Sequence, residues 1–189
     1  MVLADWFATI DLGDPTQAQQ AVVDELGTML DDYRPAHLDP NASSIQATGH
    51  GWTLDHTIAV QLVHADDADA MIELAVGTGE VIMSWLTAHE HVYADDDSLD
   101  GRPWAGRVVD MVAAVLRGEL EVEDTYRGRW LVKTRIIDVA DPAGLRVLAT
   151  TGSLLSWLPR PGARRVERRR IFWGVRPESA SSRTHHRSY

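Results

Sequence analysis

The sequence contains no cysteine and a single lysine, Lys133, among its 189 residues. Without cysteine the chain forms no disulfide, no thiolate zinc site and no thiol nucleophile. With one lysine, nearly every candidate for a Schiff-base or P-loop lysine is excluded as well. No apolar run approaches the roughly 18 residues that a membrane span needs, and the N-terminal residues do not resemble a signal peptide. These absences predict a cytoplasmic protein without a membrane partner.

The first hundred positions contain one basic residue, Arg34, and nineteen aspartates and glutamates. Residues 101–189 reverse this balance, with nine acidic residues and seventeen arginines and lysines. The net charge of −10 therefore conceals a first part of −18 and a second part of +8. A chain of this kind is expected to present an acidic surface beside an arginine-rich strip, which points to electrostatic recognition of a partner.

Apolar periodicity predicts two helices and a series of strands. Residues 15–34, which begin after Asp14, and residues 103–117, which end at Gly118, repeat apolar side chains every three or four positions. Alternating segments between short turns predict strands before and after the second helix, without regular βαβ alternation. We therefore predict an α+β fold, with a single antiparallel sheet of about five to seven strands and both helices packed on one face.

The length of the chain suits one domain with a full hydrophobic core. We place this single α+β domain at residues 1–177. Residues 178–189 are polar and are expected to form a disordered tail. The Gly77-Thr78-Gly79 segment begins like a dinucleotide-binding fingerprint, but a predicted strand follows where that motif needs a helix. It is therefore interpreted as a hairpin turn.

Two aspartate clusters stand out in the acidic half. One follows a predicted strand and the other precedes the second helix, and their members are Asp66, Asp67, Asp69, Asp95, Asp96 and Asp97. Carboxylates concentrated in two loops are suited to attract a basic protein. We predict that these six residues form the partner-binding surface.

An arginine cluster forms a secondary basic patch in the last predicted hairpin, made of Arg164, Arg165, Arg168, Arg169 and Arg170. Such a density of positive charge can bind phosphates, and a neighbouring aromatic residue could stack on bases. The acidity of the rest of the chain would repel a polyanion at longer range, which disfavours nucleic acid as the partner. Salt bridges within the protein or towards a protein partner are the preferred interpretation.

His89 and His91 are the candidate metal ligands. On a strand both side chains would point the same way, and the Asp95–Asp97 loop could complete a mixed nitrogen and oxygen site. Their spacing differs from the i, i+4 spacing of zinc proteases, and no third ligand is fixed by the sequence. We therefore predict no metal, no cofactor and no catalytic residue. A small metal-dependent enzyme or a ligand-binding domain that uses these residues is kept as an alternative.

A resemblance covers residues 80–138. Its elements are the segment His89-Glu90-His91, an acidic loop, a helix that ends at Leu116-Arg117-Gly118-Glu119, the strand Leu120-Glu121-Val122-Glu123 and the turn Tyr126-Arg127-Gly128. This pattern resembles small bacterial immunity proteins of polymorphic-toxin systems. The resemblance implies a non-enzymatic α+β protein that binds and neutralises a toxin, and the excess acidity suggests a basic one. An accessory protein-interaction domain is the remaining alternative.

The inhibitor hypothesis predicts how binding depends on salt. If both aspartate clusters steer a basic toxin domain, its association should slow steeply once the Debye length falls to about 8–10 Å. Replacing both clusters with lysine should lower the association rate at low salt by at least about tenfold. Stopped-flow or surface-plasmon measurements with a candidate toxin domain test this, and rates that ignore both salt and charge reversal would contradict the hypothesis.

Overall fold

Two helices and ten strands occupy the part of the chain that a computed structural model describes, namely residues 3–48, 56–67, 69–94, 104–140, 146–152 and 162–174. The helices are α1 (Gln17–Tyr33) and α2 (Trp104–Leu116). The strands are β1 (Thr9–Asp11), β2 (Ser44–Thr48), β3 (Thr57–Val63), β4 (Met71–Val76), β5 (Glu80–Trp85), β6 (Ala88–Tyr93), β7 (Leu120–Arg127), β8 (Trp130–Asp138), β9 (Arg146–Gly152) and β10 (Arg164–Arg169). The predicted α+β class is confirmed, and so are both helices.

Helix α1 begins with a capping box at Thr16. The Thr16 hydroxyl accepts a hydrogen bond from the Gln19 backbone N–H at 3.3 Å, and the Gln19 side chain accepts one from the Thr16 N–H at 2.9 Å. The cap therefore lies two residues after Asp14, the start expected from the sequence. The helix ends at Tyr33. Its C-cap residue Arg34 has a left-handed φ of 43°, and Pro35 follows. Its buried side faces the core through Val22, Val23, Leu26, Met29 and Leu30.

Helix α2 is bounded by an indole contact and a glycine. The Trp104 indole N–H donates to the Val92 carbonyl at 3.2 Å, which ties the start of the helix to β6. Gly118 has a φ of 66° and closes the last turn, as the sequence predicts. The buried stripe comprises Val108, Val109, Val112, Val115 and Leu116. Neither helix in the described residues combines the length and hydrophobicity that crossing a membrane requires.

The first sheet contains strands β1 to β6 in sequence order. The pair β1–β2 is parallel and the other pairs are antiparallel. Alternate residues of its central strands are buried and join both helices in one hydrophobic core, namely Ile58, Val60, Leu62, Ile72, Leu74, Val76, Val81, Met83 and Trp85. Burying each large aliphatic side chain contributes roughly 1.5–3 kcal/mol, so this inner face is the main source of stability.

The prediction of a single sheet is wrong, because strands β7 to β10 form a separate four-stranded sheet. Its order is β10-β7-β8-β9 and all its pairs are antiparallel. Strand β10 returns to the free side of β7, so β7 has partners on both sides and offers no edge to the first sheet. Alternation along a sequence predicts that a strand exists, but it does not specify which strand will lie beside it.

Asp124 of β7 joins the two sheets. Its carboxylate is fully buried and accepts three hydrogen bonds: from the Thr87 hydroxyl at 2.6 Å, the Thr134 hydroxyl at 2.7 Å and Arg169 Nη2 at 2.7 Å. Thr87 lies between β5 and β6, whereas Thr134 and Arg169 belong to β8 and β10. A buried carboxylate is stable only when its lone pairs and its charge are matched, and these three donors supply that match.

Glu123 is buried on the opposite face of β7 and is held between two arginines. Arg168 donates to Glu123 Oε2 from Nε at 3.0 Å and from Nη2 at 2.9 Å, and Arg135 Nη1 donates to Oε1 at 3.2 Å. Glu121 Oε1 lies 3.4 Å from Arg168 Nε, which is within ion-pair distance although the geometry is not that of a hydrogen bond. Both faces of β7 therefore depend on arginines from the neighbouring strands.

We expect Arg169→Met to reduce the free energy of unfolding by about 2–3 kcal/mol, because Asp124 would keep a buried charge without a cation. Methionine keeps much of the apolar stem of arginine, so lost packing contributes little. The expected loss lies below the upper end for buried pairs because the Arg169 side chain is 41% exposed. Equilibrium unfolding in urea measures the loss.

Arg165→Met is the matched control on the same strand. Arg165 pairs with Glu167 at 3.1 Å, but both side chains are exposed to solvent, so the expected loss is at most about 1 kcal/mol. Equal losses for the two variants would contradict the joining role of Asp124.

Candidate functional site

The segment His89-Glu90-His91 lies on the edge strand β6, where alternation separates its side chains. His89 and His91 are exposed on the outer face, with ring centroids 5.7 Å apart, so they share a face as predicted. The His91 Nδ1 atom lies 2.5 Å from Glu80 Oε1 across the β5–β6 pair. This hydrogen bond lowers the pKa of the Glu80 carboxyl below its ordinary value.

The two histidines do not gain a third metal ligand from the described part of the chain. Across those residues no group of three or more histidines, aspartates and glutamates is placed to hold a metal ion. Asp95, Asp96 and Asp97, the carboxylates that the metal hypothesis requires, lie outside the described residues. The hypothesis of a metal site at His89 and His91 therefore stays a prediction.

Glu90 is half-buried and lies on the opposite, apolar face of the sheet. The strand register places it in one row with Met83, Leu74, Val60 and Ile45, four buried hydrophobic residues. Burial raises the pKa of the Glu90 carboxyl, while the two neighbouring histidines act weakly against this shift. The carboxylate makes no hydrogen bond to any of the residues that the structure describes. A carboxyl group in such a row opposes folding, which marks Glu90 as a functional candidate.

A cavity of about 640 Å³ lies in front of Glu90 and is partly open to solvent. It is bounded by the β5–β6 end of the first sheet, by α2, and by β8 and β9 of the second sheet. The lining residues are Trp85, Glu90, Arg107, Asp110, Met111, Ala114, Glu119, Leu120, Ile136, Asp138, Ala140, Leu148 and Ala149. Largely apolar walls with a few polar groups, in a volume of about 300–1,000 Å³, are typical of small-molecule sites.

The charged groups that line this cavity differ in their protein contacts. Glu119 forms a salt bridge with Arg117 at 2.7 Å, and Asp138 accepts a hydrogen bond from the Ala140 N–H at 2.9 Å. Arg107 Nη2 donates to the Tyr93 carbonyl at 2.8 Å. Glu90 differs from all three, since its carboxylate lies against the apolar wall without a hydrogen bond from the described residues. It is therefore the group best placed to bind a ligand.

The structure describes only one of the two aspartate clusters that are predicted to form the acidic surface. Asp66, Asp67 and Asp69 are exposed in the turn between β3 and β4. Ala94, which precedes the second cluster, donates to the Gly79 carbonyl at 2.9 Å, at the other end of the sheet. Strands of six residues separate the two ends by about 20 Å. The structure therefore does not bring Ala94 towards the first cluster, and Asp95, Asp96 and Asp97 lie outside the described residues.

The arginine cluster serves mainly internal contacts. Arg168 and Arg169 neutralise Glu123 and Asp124, as the salt-bridge interpretation expects. The Arg165 guanidinium carbon lies 4.7 Å from the centroid of the Tyr126 ring, whereas Arg164 is exposed. Arg170 lines a second cavity, of about 460 Å³, to which Asp67 and Phe172 also contribute. The acidic turn and the basic strand are thus neighbours in the fold.

The sequence-based hypothesis for this segment concerns His89 and His91 and does not include Glu90, which lies between them. The available signal was strand parity, because His89 and His91 on the exposed face require Glu90 on the buried face. The other walls of the cavity come from α2, β8 and β9, which are distant in sequence. No local sequence motif predicts such a site.

Glu90→Gln and Glu80→Gln should change stability in opposite directions as pH rises. The folded state raises the pKa of Glu90, so ionisation above the ordinary value of 4.5 costs folding free energy, and glutamine removes this cost. Glu80 has a lowered pKa, so its ionised form adds stability that glutamine removes.

Urea unfolding between about pH 3 and pH 7 measures both effects. The stability of Glu90→Gln relative to the parent should increase over this range, and that of Glu80→Gln should decrease. A parallel pH dependence of the two variants would contradict the placement of Glu90 on the buried face.

Comparison of the chain with known protein families, with curated proteins and with solved structures finds no match. The resemblance to immunity proteins therefore stays a prediction, and the chemistry of the cavity has to support the argument for function.

Proposed function

We propose that this chain is a ligand-binding domain whose site is the cavity between α2 and the two sheets. The observation that carries this proposal is Glu90, a carboxyl group placed at the wall of an apolar cavity of about 640 Å³. This proposal differs from the sequence-based alternative of a ligand-binding domain at His89 and His91, because those side chains lie on the opposite face of β6.

The walls of the cavity are suited to the apolar part of a small molecule. Met111 and Ala114 contribute from α2, Ile136 from β8 and Leu148 from β9. Each Å² of apolar ligand surface removed from water contributes about 25 cal/mol, so contact with several such side chains can support binding. Asp124 links the β5–β6 turn to β8, so the walls from the two sheets have a defined relative position before a ligand arrives.

The position of Glu90 supports a binding role over a purely structural one. A hydrophobic residue in its place would continue the buried row of Met83 and Leu74 and would avoid the cost of burying a carboxyl group. Residues that oppose folding in this way are characteristic of functional sites, where binding depends on a group that stability disfavours.

The immunity-type inhibitor remains the alternative. Its support is the exposed turn with Asp66, Asp67 and Asp69, which is available to a basic partner. Arg170 lines the same cavity as Asp67, which weakens the negative field near this turn. The cavity is therefore the better supported site.

Filling the cavity should abolish the binding of a neutral apolar probe. Ala114→Phe places a ring in the cavity from α2, and Ala149→Leu enters it from β9. We expect the parent to bind Nile red saturably, and both variants to bind it at least about tenfold more weakly, because the ligand volume is occupied. Fluorescence titration measures the dissociation constants.

Thr28→Phe is the matched control, because it adds the same ring at an exposed position of α1. It should bind Nile red like the parent. Circular dichroism establishes that each variant is folded. Nile red affinity that is equal in the parent, the control and both filling variants would rule out this cavity as the binding site.

A further inference from the structure

We propose that the ligand of this cavity is an organic cation, an amine whose ammonium group binds the Glu90 carboxylate while its apolar body lies along the walls formed by α2 and β8. This inference rests on the proposed function and adds the chemical class of the ligand. It follows from the contacts that Glu90 lacks, from the position of Trp85 and from the balance of charge around the cavity.

The Glu90 carboxylate is the acceptor that a ligand would satisfy. An ionised carboxylate can accept about four hydrogen bonds, and among the described residues none donates to Glu90. The neighbouring acids differ, since Arg117 neutralises Glu119 and a backbone N–H donates to Asp138. A charged N–H donor is the strongest partner for a carboxylate in apolar surroundings, because both groups gain from the low dielectric.

Trp85 lies beside Glu90 on the same face of the first sheet. In the β5–β6 register Trp85 pairs with Ala88, and Met83 pairs with Glu90, so Trp85 and Glu90 are diagonal neighbours. Such neighbours have Cα atoms roughly 7–8 Å apart, a gap that one ammonium group with its first methylenes can bridge. Both residues line the cavity. An indole next to a carboxylate favours an alkylammonium group over a neutral polar group.

The charge balance of the walls disfavours an anionic ligand. Among the described residues, four carboxyl groups line the cavity, from Glu90, Asp110, Glu119 and Asp138, and Arg117 neutralises that of Glu119. The described lining contributes one guanidinium group, that of Arg107. Arg107 Nη2 donates to the Tyr93 carbonyl at 2.8 Å, which orients the guanidinium group and leaves its charge unchanged. A fatty acid or a phosphate would therefore place its negative charge among like charges, whereas an amine gains from the same field.

A matched series of eight-carbon compounds tests the proposal: octylamine, octanol and octanoate, each displacing Nile red below its micelle concentration. The three share their apolar chain, so their affinities differ through the head group. We expect octylamine to bind at least about tenfold more tightly than octanol, because its ammonium group forms a charged hydrogen bond that a hydroxyl group cannot form. We expect octanoate to bind most weakly.

Glu90→Gln should remove the preference, because its amide keeps the shape of the side chain without the charge. The affinity for octylamine should fall to that for octanol. Glu80→Gln is the control, since Glu80 belongs to the outer face of the neighbouring strand and does not line the cavity. It should keep the preference for the amine. Thermal unfolding of each variant verifies that it is folded.

The outcomes separate this inference from the proposed function. If Nile red binds the parent and is excluded by Ala114→Phe, but octylamine and octanol bind equally, the cation proposal is wrong and the ligand-binding function stands. The same holds if octanoate binds best, or if Glu90→Gln keeps the preference for octylamine. If neither Nile red nor any member of the series binds, both proposals are wrong.

Discussion

The buried carboxylate of Asp124 is the constraint on which the rest of the structure depends. The carboxylate belongs to β7 and accepts hydrogen bonds from the β5–β6 turn, from β8 and from β10. It therefore links the first sheet to three strands of the second sheet, β7, β8 and β10. Hydrophobic burial alone would let two sheets slide against each other, because it has no preferred direction. The hydrogen bonds at Asp124 are directional, and they fix the relative position of the sheets.

The cavity depends on this link. Its walls come from β5 and β6 on one side and from β8 and β9 on the other, with α2 between them. Helix α2 and the second sheet both line the cavity at Glu90, and burial there raises the pKa of its carboxyl group. The proposed site therefore combines apolar surfaces with several charged side chains, and its shape depends on how the two sheets are held.

Local patterns along the sequence are sufficient to predict the two helices. The stripes of α1 and α2 predict both helices, and glycine predicts the end of α2 at Gly118, because these signals involve neighbouring turns of one helix. Strands β1 and β2 are missed because they have three and five residues and little alternation. The second sheet, the arginine pairs of Glu123 and Asp124, and the cavity at Glu90 all depend on residues far apart in sequence. Composition shows the opposite charges of the two halves, but it does not show that arginines of β10 pair with acids of their own half, namely Glu121, Glu123 and Asp124.

The position of β10 has a consequence for how the protein is made. Arg169 follows its partner Asp124 by 45 residues, so a ribosome delivers this acid before its cation. Glu123 differs, since Arg135 of β8 follows it by only 12 residues and supplies one of its two cations. Burying Asp124 without a cation is costly, so β10 is needed before the sheets can close around this carboxylate.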